Sequence, residues 1–371
     1  TAPSLILHGN LTVVNDGDAL QLGDTFQLFS VSGSITRNGS TLTVPALGAG
    51  LSWDFSGLLV DGTFKVGPVT NNTIGDPNWP ELLPAQLQAV RNAGYASATI
   101  NPGTYDLPDG FSYQSTFALS GWSNFTVNAD YVVFTVGKQR AFTLSNCFNF
   151  TIKGLTIRAR YPSFTQGRVL SKGNNPDGKA YAIWRISDGY PTTFATDETY
   201  VPVNGEARAD FSMNAVNGTT GIIDHATGDN YNCILTPQGD NTWKVDFPNK
   251  NTLPFRVDDW LVTRLPTADK QSHAIFLNNS TNCTIESVTS QSGGFATFFE
   301  IGGGGNRLIG CLIERSPVIP PAGTELPVVS CSADGVHARD AYPGIQIDNL
   351  VTTGVLLDDC IAIHGVFHEV T

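Results

Sequence analysis

The sequence predicts an all-β chain built mainly as a right-handed parallel β-helix, and two observations lead to this fold. Short β-branched runs recur at intervals of roughly 25 residues, as when Asn124-Phe-Thr-Val127 returns as Asn149-Phe-Thr-Ile152. The 371 residues include 38 Gly and 21 Pro, and only 15% are charged, which suits a turn-rich β protein rather than a helical one. Repeats of this length made of short strands are typical of solenoids.

Two segments are expected before the repeats begin. Residues 1–66 alternate polar and apolar side chains over short stretches separated by Gly and Asn, which predicts a small antiparallel β module. Residues 67–80 are rich in Pro, Asn and Gly and are predicted to be a linker.

One helix is predicted, over residues 84–93, in the segment 81–159 that starts the β-helix. Pro84 suits a first helical turn, Leu87 and Val90 form an apolar stripe, and Gly94 suits the end of the helix.

The period is lost over residues 160–270 and resumes over residues 271–371. The interruption carries strand-like runs of its own, so we expect an inserted β-barrel-like domain; the alternative is a very long loop, which compact domains rarely contain. No amphipathic segment follows the last repeat, so we expect a second chain or a missing C-terminal segment to complete the β-helix.

Composition argues against several kinds of partner. The net charge is −12 and basic residues do not cluster, which argues against nucleic acid and anionic membranes. No apolar run reaches the roughly 18 residues of a membrane-spanning segment.

Nine Asn-x-Ser/Thr sequons suggest a secreted, extracellular glycoprotein, although an Asn- and Thr-rich β-helix also produces sequons by composition alone. The sequons are at Asn10, Asn38, Asn71, Asn124, Asn149, Asn217, Asn278, Asn279 and Asn282. The six cysteines show no metal-ligand spacing, so we expect stacked buried thiols and one or two disulfides of open connectivity.

Three carboxylates are predicted to meet on one face of the β-helix. Asp358 follows Asp334 by about one repeat of the solenoid, and Asp359 comes directly after it. Positions one coil apart lie about 4.8 Å from each other. Clustered carboxylates are the usual equipment of glycoside hydrolysis. The alternative is that Asp-Gly is an ordinary turn dipeptide, but adjacent carboxylates beside an apolar run are costly unless they are solvated or used.

Four further residues are candidates for substrate binding. His337 and His364 flank the carboxylates on successive coils and would hydrogen-bond sugar hydroxyls or hold an aspartate in place; the alternative is a structural role in the solenoid wall. Glu300 is expected one coil earlier on the same face, with a solvated charge as the alternative. Arg339 would reach the cleft or pair with Asp340.

These motifs resemble those of known glycoside hydrolases. Asp334-Gly335 followed by Asp358-Asp359-Cys360 resembles the polygalacturonase family, and the longer form ending in Ile363-His364-Gly365 resembles more closely the β-helical α-1,3-galactosidases. The resemblance implies a pectin-lyase-like fold with a capping helix and an inserted barrel. It also implies that the three aspartates are catalytic, one as general acid and another in activating water.

The function expected from the sequence is a secreted glycoside hydrolase without a cofactor. Its carbohydrate substrate would be a plant, microbial or host glycan, α-galactoside- or galacturonan-like, cleaved by carboxylate acid/base catalysis. One alternative is a polysaccharide lyase or epimerase on the same fold, and only under this alternative is Ca²⁺ a candidate cofactor. The other is a non-catalytic glycan-binding β-helix protein.

Overall fold

The computed structural model describes residues 2–38, 40–192, 207–208, 213–223, 233–265 and 273–365, and most of its regular structure is β-strand, as predicted. In the first part of the chain the strands are β1 Ala2–Leu7, β2 Asn10–Thr12, β3 Thr25–Gln27, β4 Val31–Arg37, β5 Thr41–Thr43, β6 Leu51–Asp54, β7 Thr63–Pro68, β8 Thr73–Ile74, β9 Ser97–Ile100, β10 Gly103–Asp106, β11 Ser115–Ser120, β12 Ser123–Val136, β13 Arg140–Ser145 and β14 Phe148–Ala159. In the region predicted as an insert they are β15 Phe164–Asn174, β16 Ala180–Ile186, β17 Ala207–Arg208, β18 Asn214–Val216, β19 Ile234–Gly239, β20 Thr242–Phe247 and β21 Trp260–Arg264. The remaining strands are β22 His273–Asn278, β23 Thr284–Glu286, β24 Thr289–Gln291, β25 Ala296–Ile301, β26 Arg307–Ile309, β27 Leu312–Glu314, β28 Val329–Cys331, β29 Asp334–Arg339, β30 Gln346–Asp348, β31 Val351–Thr352, β32 Val355–Leu356 and β33 Ile361–His364.

The described residues contain one α-helix, α1, which spans Leu83–Asn92 and follows a 3-10 turn at Pro80–Leu82. Its apolar face buries Leu87 and Val90, and Gly94 follows it with a φ of +86°, so the predicted helix is confirmed to within a residue at each end. Among the described residues, no helix is long and apolar enough to cross a membrane.

The chain divides into two compact units, of which the first consists of Thr1–Pro108, Ser123–Phe134 and Phe150–Leu155. Its N-terminal module was predicted to be antiparallel, but the structure shows that it is only partly so. β1 pairs with β4 and β2 with β5 in parallel, and only β3, β7 and β6 form an antiparallel sheet. The residues between β1 and β4 are long enough for the crossover that parallel strands require.

The predicted linker also contains regular structure. β8 lies inside residues 67–80 and pairs in parallel with β9. Trp79 and Leu82 are buried in the same apolar cluster as Phe55 and Phe64 of the N-terminal module. This stretch is therefore part of the packed first unit and not a spacer.

The second unit consists of Asp109–Trp122, Thr135–Asn149 and Thr156–Thr371 and contains a six-stranded parallel sheet. Its strand order is β11, β13, β22, β25, β29 and β33. Phe117 pairs with Phe142, Ile275 with Phe298 and Val336 with Ile361, at sequence offsets of 25 (142 − 117), 23 (298 − 275) and 25 (361 − 336). Three of the five pairings in this sheet, which we call the site sheet, therefore have the period seen in the sequence. The other two are longer: the inserted segment separates β13 from β22, and Phe298 pairs with Val336 at an offset of 38 (336 − 298).

Asparagines occupy several turns of this unit. Asn146, Asn149, Asn279 and Asn282 all have positive φ, a backbone conformation that Asn tolerates better than most residues. The side-chain amide of Asn279 donates to the Asn146 side-chain oxygen at 2.7 Å, so neighbouring turns are joined. Several sequon asparagines thus have a structural reason to be present.

Residues between β14 and β22 form a separate antiparallel sheet, in the order β17, β19, β20, β16, β15, β21 and β18. We call it the inserted sheet; it buries Phe164, Trp184 and Phe247. Its strands lie within the predicted insert, but the sheet is open among the described residues, so the barrel-like expectation is not met.

The predicted disulfides are wrong: all six cysteines lie in the described part of the chain, and none is bonded to another. Five are buried, and the thiols of four of them, Cys147, Cys283, Cys311 and Cys331, contact backbone carbonyls instead. The Cys283 thiol lies 3.8 Å from the Cys147 carbonyl, and the Cys311 thiol lies 3.4 Å from that of Ile285. The stacked-thiol part of the prediction is confirmed.

Candidate functional site

Three aspartates meet at the last two strands of the site sheet. Asp334 is the first residue of β29, and Asp358 and Asp359 come just before β33. The Gly335 amide donates to the Asp359 carbonyl at 3.0 Å, which sets Asp334 beside Asp359 in the parallel register. One oxygen from each of the three carboxylates lies within 4.8 Å of the other two.

Asp334 is the buried member of this group, with 6% of its surface exposed. Its Oδ2 lies 2.6 Å from His337 Nδ1, and its Oδ1 accepts a longer hydrogen bond of 3.2 Å from the Asp359 amide. Burial raises the pKa of the Asp334 carboxyl; the His337 hydrogen bond opposes this, and the negative charge of Asp358 adds to it.

Asp358 has a very different environment, because its side chain is 49% exposed and paired with a guanidinium. Arg264 Nη2 lies 2.5 Å from Asp358 Oδ2 and donates to the Leu357 carbonyl at 2.5 Å. Arg264 ends β21 of the inserted sheet and is only 5% exposed, so this cation is held in place by packing. Asp359 is exposed to solvent.

Sequence reasoning missed Arg264. Its partner Asp358 is far away along the chain, and no repeat connects the inserted sheet to the site sheet. A signal was present in the strand itself, where the arginine closes the apolar run Trp260-Leu-Val-Thr. A buried arginine needs an anionic partner, so this residue could have been singled out.

Two histidines extend the group from Asp334 to the surface. His337 Nε2 lies 2.8 Å from Nε2 of His364, which is the last residue of β33 and is exposed. The Phe299 ring contacts His337 at 4.9 Å in an edge-to-face arrangement, and Phe276 stacks on Phe299 at 5.4 Å. The expectation that a histidine holds an aspartate in place matches the position of His337.

The other two predicted binding residues do not join this group. Glu300 is 1% exposed and accepts a hydrogen bond from the Asn306 amide at 2.6 Å, so it lies in the interior and not in a cleft. It shares its side of β25 with the buried Phe298, which explains this placement. Arg339 pairs with Asp340 at 3.2 Å, the alternative given above.

The carboxylate group is also the place to look for a cation, since the three oxygens are close enough to contact one ion together. Both oxygens of Asp334 already have a nitrogen neighbour, the Asp359 amide at Oδ1 and His337 Nδ1 at Oδ2, which favours a carboxyl used in proton transfer over one reserved for a cation. No protein-family model and no curated protein matches the chain. The likeness to polygalacturonases and α-1,3-galactosidases therefore rests on the motifs alone.

Proposed function

We propose that the repeats form a right-handed parallel β-helix and that its three aspartates hydrolyse glycosidic bonds in a secreted enzyme. The parallel site sheet supports the fold, because three of its five strand pairings join positions 23 to 25 residues apart, about one solenoid repeat. The observation that carries the function is the convergence of Asp334, Asp358 and Asp359 within 4.8 Å in unlike environments. Glycosidases depend on such a difference, with one carboxyl protonated and another ionised.

The environments suggest a role for each carboxylate. Asp334, whose pKa is raised by burial, is the candidate general acid that protonates the leaving oxygen. Asp358, paired with Arg264, is the candidate base that activates water. Oxygens within 4.8 Å can both accept from one water molecule, since each hydrogen bond spans about 2.7–2.8 Å. Asp359 would hold that water together with Asp358.

The charges favour a neutral sugar at the cleavage point. Among the described residues, Arg264 is the cation that contacts the aspartates, and it is already paired with Asp358. A uronate here would add a negative charge beside Asp358 and Asp359 without a matching cation, and like charges at this distance repel. An α-galactoside is therefore favoured over a galacturonan.

A panel of glycosides tests the proposal and separates the roles. Wild-type protein should release galactose from an α-galactosyl disaccharide, and Asp358→Asn should lose about 10²–10⁴-fold in kcat on every substrate. Asp334→Asn should lose as much on the disaccharide but far less on an aryl galactoside, whose leaving group needs little protonation. Products that absorb as unsaturated uronides would indicate the lyase alternative. Binding of glycans without turnover by any preparation would overturn the hydrolase proposal.

A further inference from the structure

The contact between His337 and His364 requires one of two proton arrangements. Two imidazole nitrogens 2.8 Å apart share a single proton, so one ring donates and the other accepts. If His364 donates, His337 carries its proton on Nδ1 and donates to Asp334 Oδ2. If His364 accepts, a neutral His337 has a bare Nδ1 facing Asp334.

The two arrangements have opposite effects on Asp334. In the first, His337 Nδ1–H is a fixed donor aimed at an oxygen that becomes negative once Asp334 has given its proton away. Donors set in advance where charge develops stabilise the transition state. In the second, the nitrogen lone pair faces the developing anion, or the Asp334 proton is held by His337 and kept from the substrate.

We propose that His364 is a positioning residue that donates Nε2–H to His337 and so fixes the His337 tautomer with its proton on Nδ1. This inference rests on the hydrolase function proposed above. It assigns the Asp334 oxygens as well. Oδ2, 2.6 Å from His337, accepts, whereas Oδ1, with the weaker 3.2 Å contact, carries the proton for the leaving group.

The surroundings hold the chain of three side chains in one geometry. Phe299 packs edge-to-face against His337 at 4.9 Å, and His364 meets His337 at a ring angle of 81°. In the parallel pairing of β29 and β33, Arg339 lies opposite His364 and His337 opposite Ala362. The residue opposite His337 in this register, Ala362, carries only a methyl group.

Two substitutions at one position separate hydrogen-bond donation from simple occupancy. His364→Gln keeps a side-chain N–H that can donate to His337, whereas His364→Ala removes it. The exposed His8 is far from the aspartates in sequence, and His8→Ala serves as the matched control for losing a surface histidine. Far-UV circular dichroism should show that all three variants fold.

The tautomer is measured directly by ¹⁵N NMR of the histidine side chains, without any substrate. We expect the His337 proton on Nδ1 in the wild type, His8→Ala and His364→Gln, and a mixture of both tautomers in His364→Ala. A wild-type His337 protonated on Nε2 alone, or a tautomer unaffected by His364→Ala, would overturn the proposal.

Kinetics supply the second readout. His364→Ala should lose about tenfold in kcat on the disaccharide with KM unchanged, and much less on the aryl galactoside, because only the former needs the acid. His364→Gln should stay close to the wild type. If no glycan is cleaved by the wild type, the hydrolase proposal fails, while the NMR result still decides the tautomer. Equal kcat in the wild type and His364→Ala would remove the positioning role alone.

Discussion

Glu300→Gln should make the protein more stable at neutral pH and less sensitive to pH. Glu300 is 1% exposed; Asn306 satisfies one carboxylate oxygen, and the other is buried without a hydrogen-bond partner in the described structure. Burial raises the pKa of this carboxyl, and the Asn306 hydrogen bond opposes the shift. A raised pKa in the folded state means that stability is full below the unfolded value of about 4.3 and falls as pH rises through the folded value.

The magnitude follows from the unsatisfied oxygen. Leaving a buried polar group without a partner costs about 1–3 kcal/mol, and more when it is charged. Glutamine cannot ionise but adds an N–H that needs an acceptor, so we expect a net gain of about 1–2 kcal/mol at pH 7.5 and little change at pH 4. Urea unfolding followed by circular dichroism at both pH values measures it, with the exposed Asp16→Asn as a control. Parallel pH dependence in wild type and Glu300→Gln would refute this reasoning.

Three further predictions follow from contacts described above. Arg264→Lys keeps a positive charge but not the geometry that binds Asp358 and a carbonyl together, so kcat/KM should fall about tenfold or more while the thermal midpoint changes little; unchanged kinetics would remove Arg264 from the site. Since no disulfide forms, reducing agent should leave the thermal midpoint unchanged, and a thiol reagent should modify Cys360 alone in the native protein and all six cysteines after denaturation; fewer than six would contradict the structure. Phe142→Ala removes a ring that stacks on Phe117 at 4.5 Å, and both rings are fully buried. The substitution should lower the free energy of unfolding by about 3–5 kcal/mol in denaturant unfolding. A loss below about 1 kcal/mol would mean that the site sheet is not packed as described.

Features that repeat along the sequence could be predicted, because residues one repeat apart are expected to lie next to each other on neighbouring strands. Asp334 and Asp358 are one repeat apart, so their meeting followed from counting residues. The helix at Leu83–Asn92 was also predictable, since Pro84 and Gly94 are local signals that need no knowledge of distant neighbours.

Features that depend on partners outside the repeat were missed. Arg264 reaches Asp358 from a sheet with no period in common with the site sheet. Glu300 follows two consecutive phenylalanines, Phe298 and Phe299, so the alternation that would have shown its inward direction was hidden. The parallel pairs of the N-terminal module depend on long-range crossover, which short alternating runs do not reveal.

Arg264 belongs to the inserted sheet, whereas the aspartate it pairs with, Asp358, lies beside the site sheet. β13 and β22 pair in parallel although the whole inserted sheet lies between them along the chain. The strand pairing of the site sheet therefore does not depend on contacts made by the intervening segment. The carboxylate group does need the intervening segment, because Arg264, the one cation among the described residues that pairs with it, is anchored in the inserted sheet. Damage or cleavage confined to the insert would therefore abolish the proposed activity while most of the site sheet survived, and a folded but inactive remnant would be its signature.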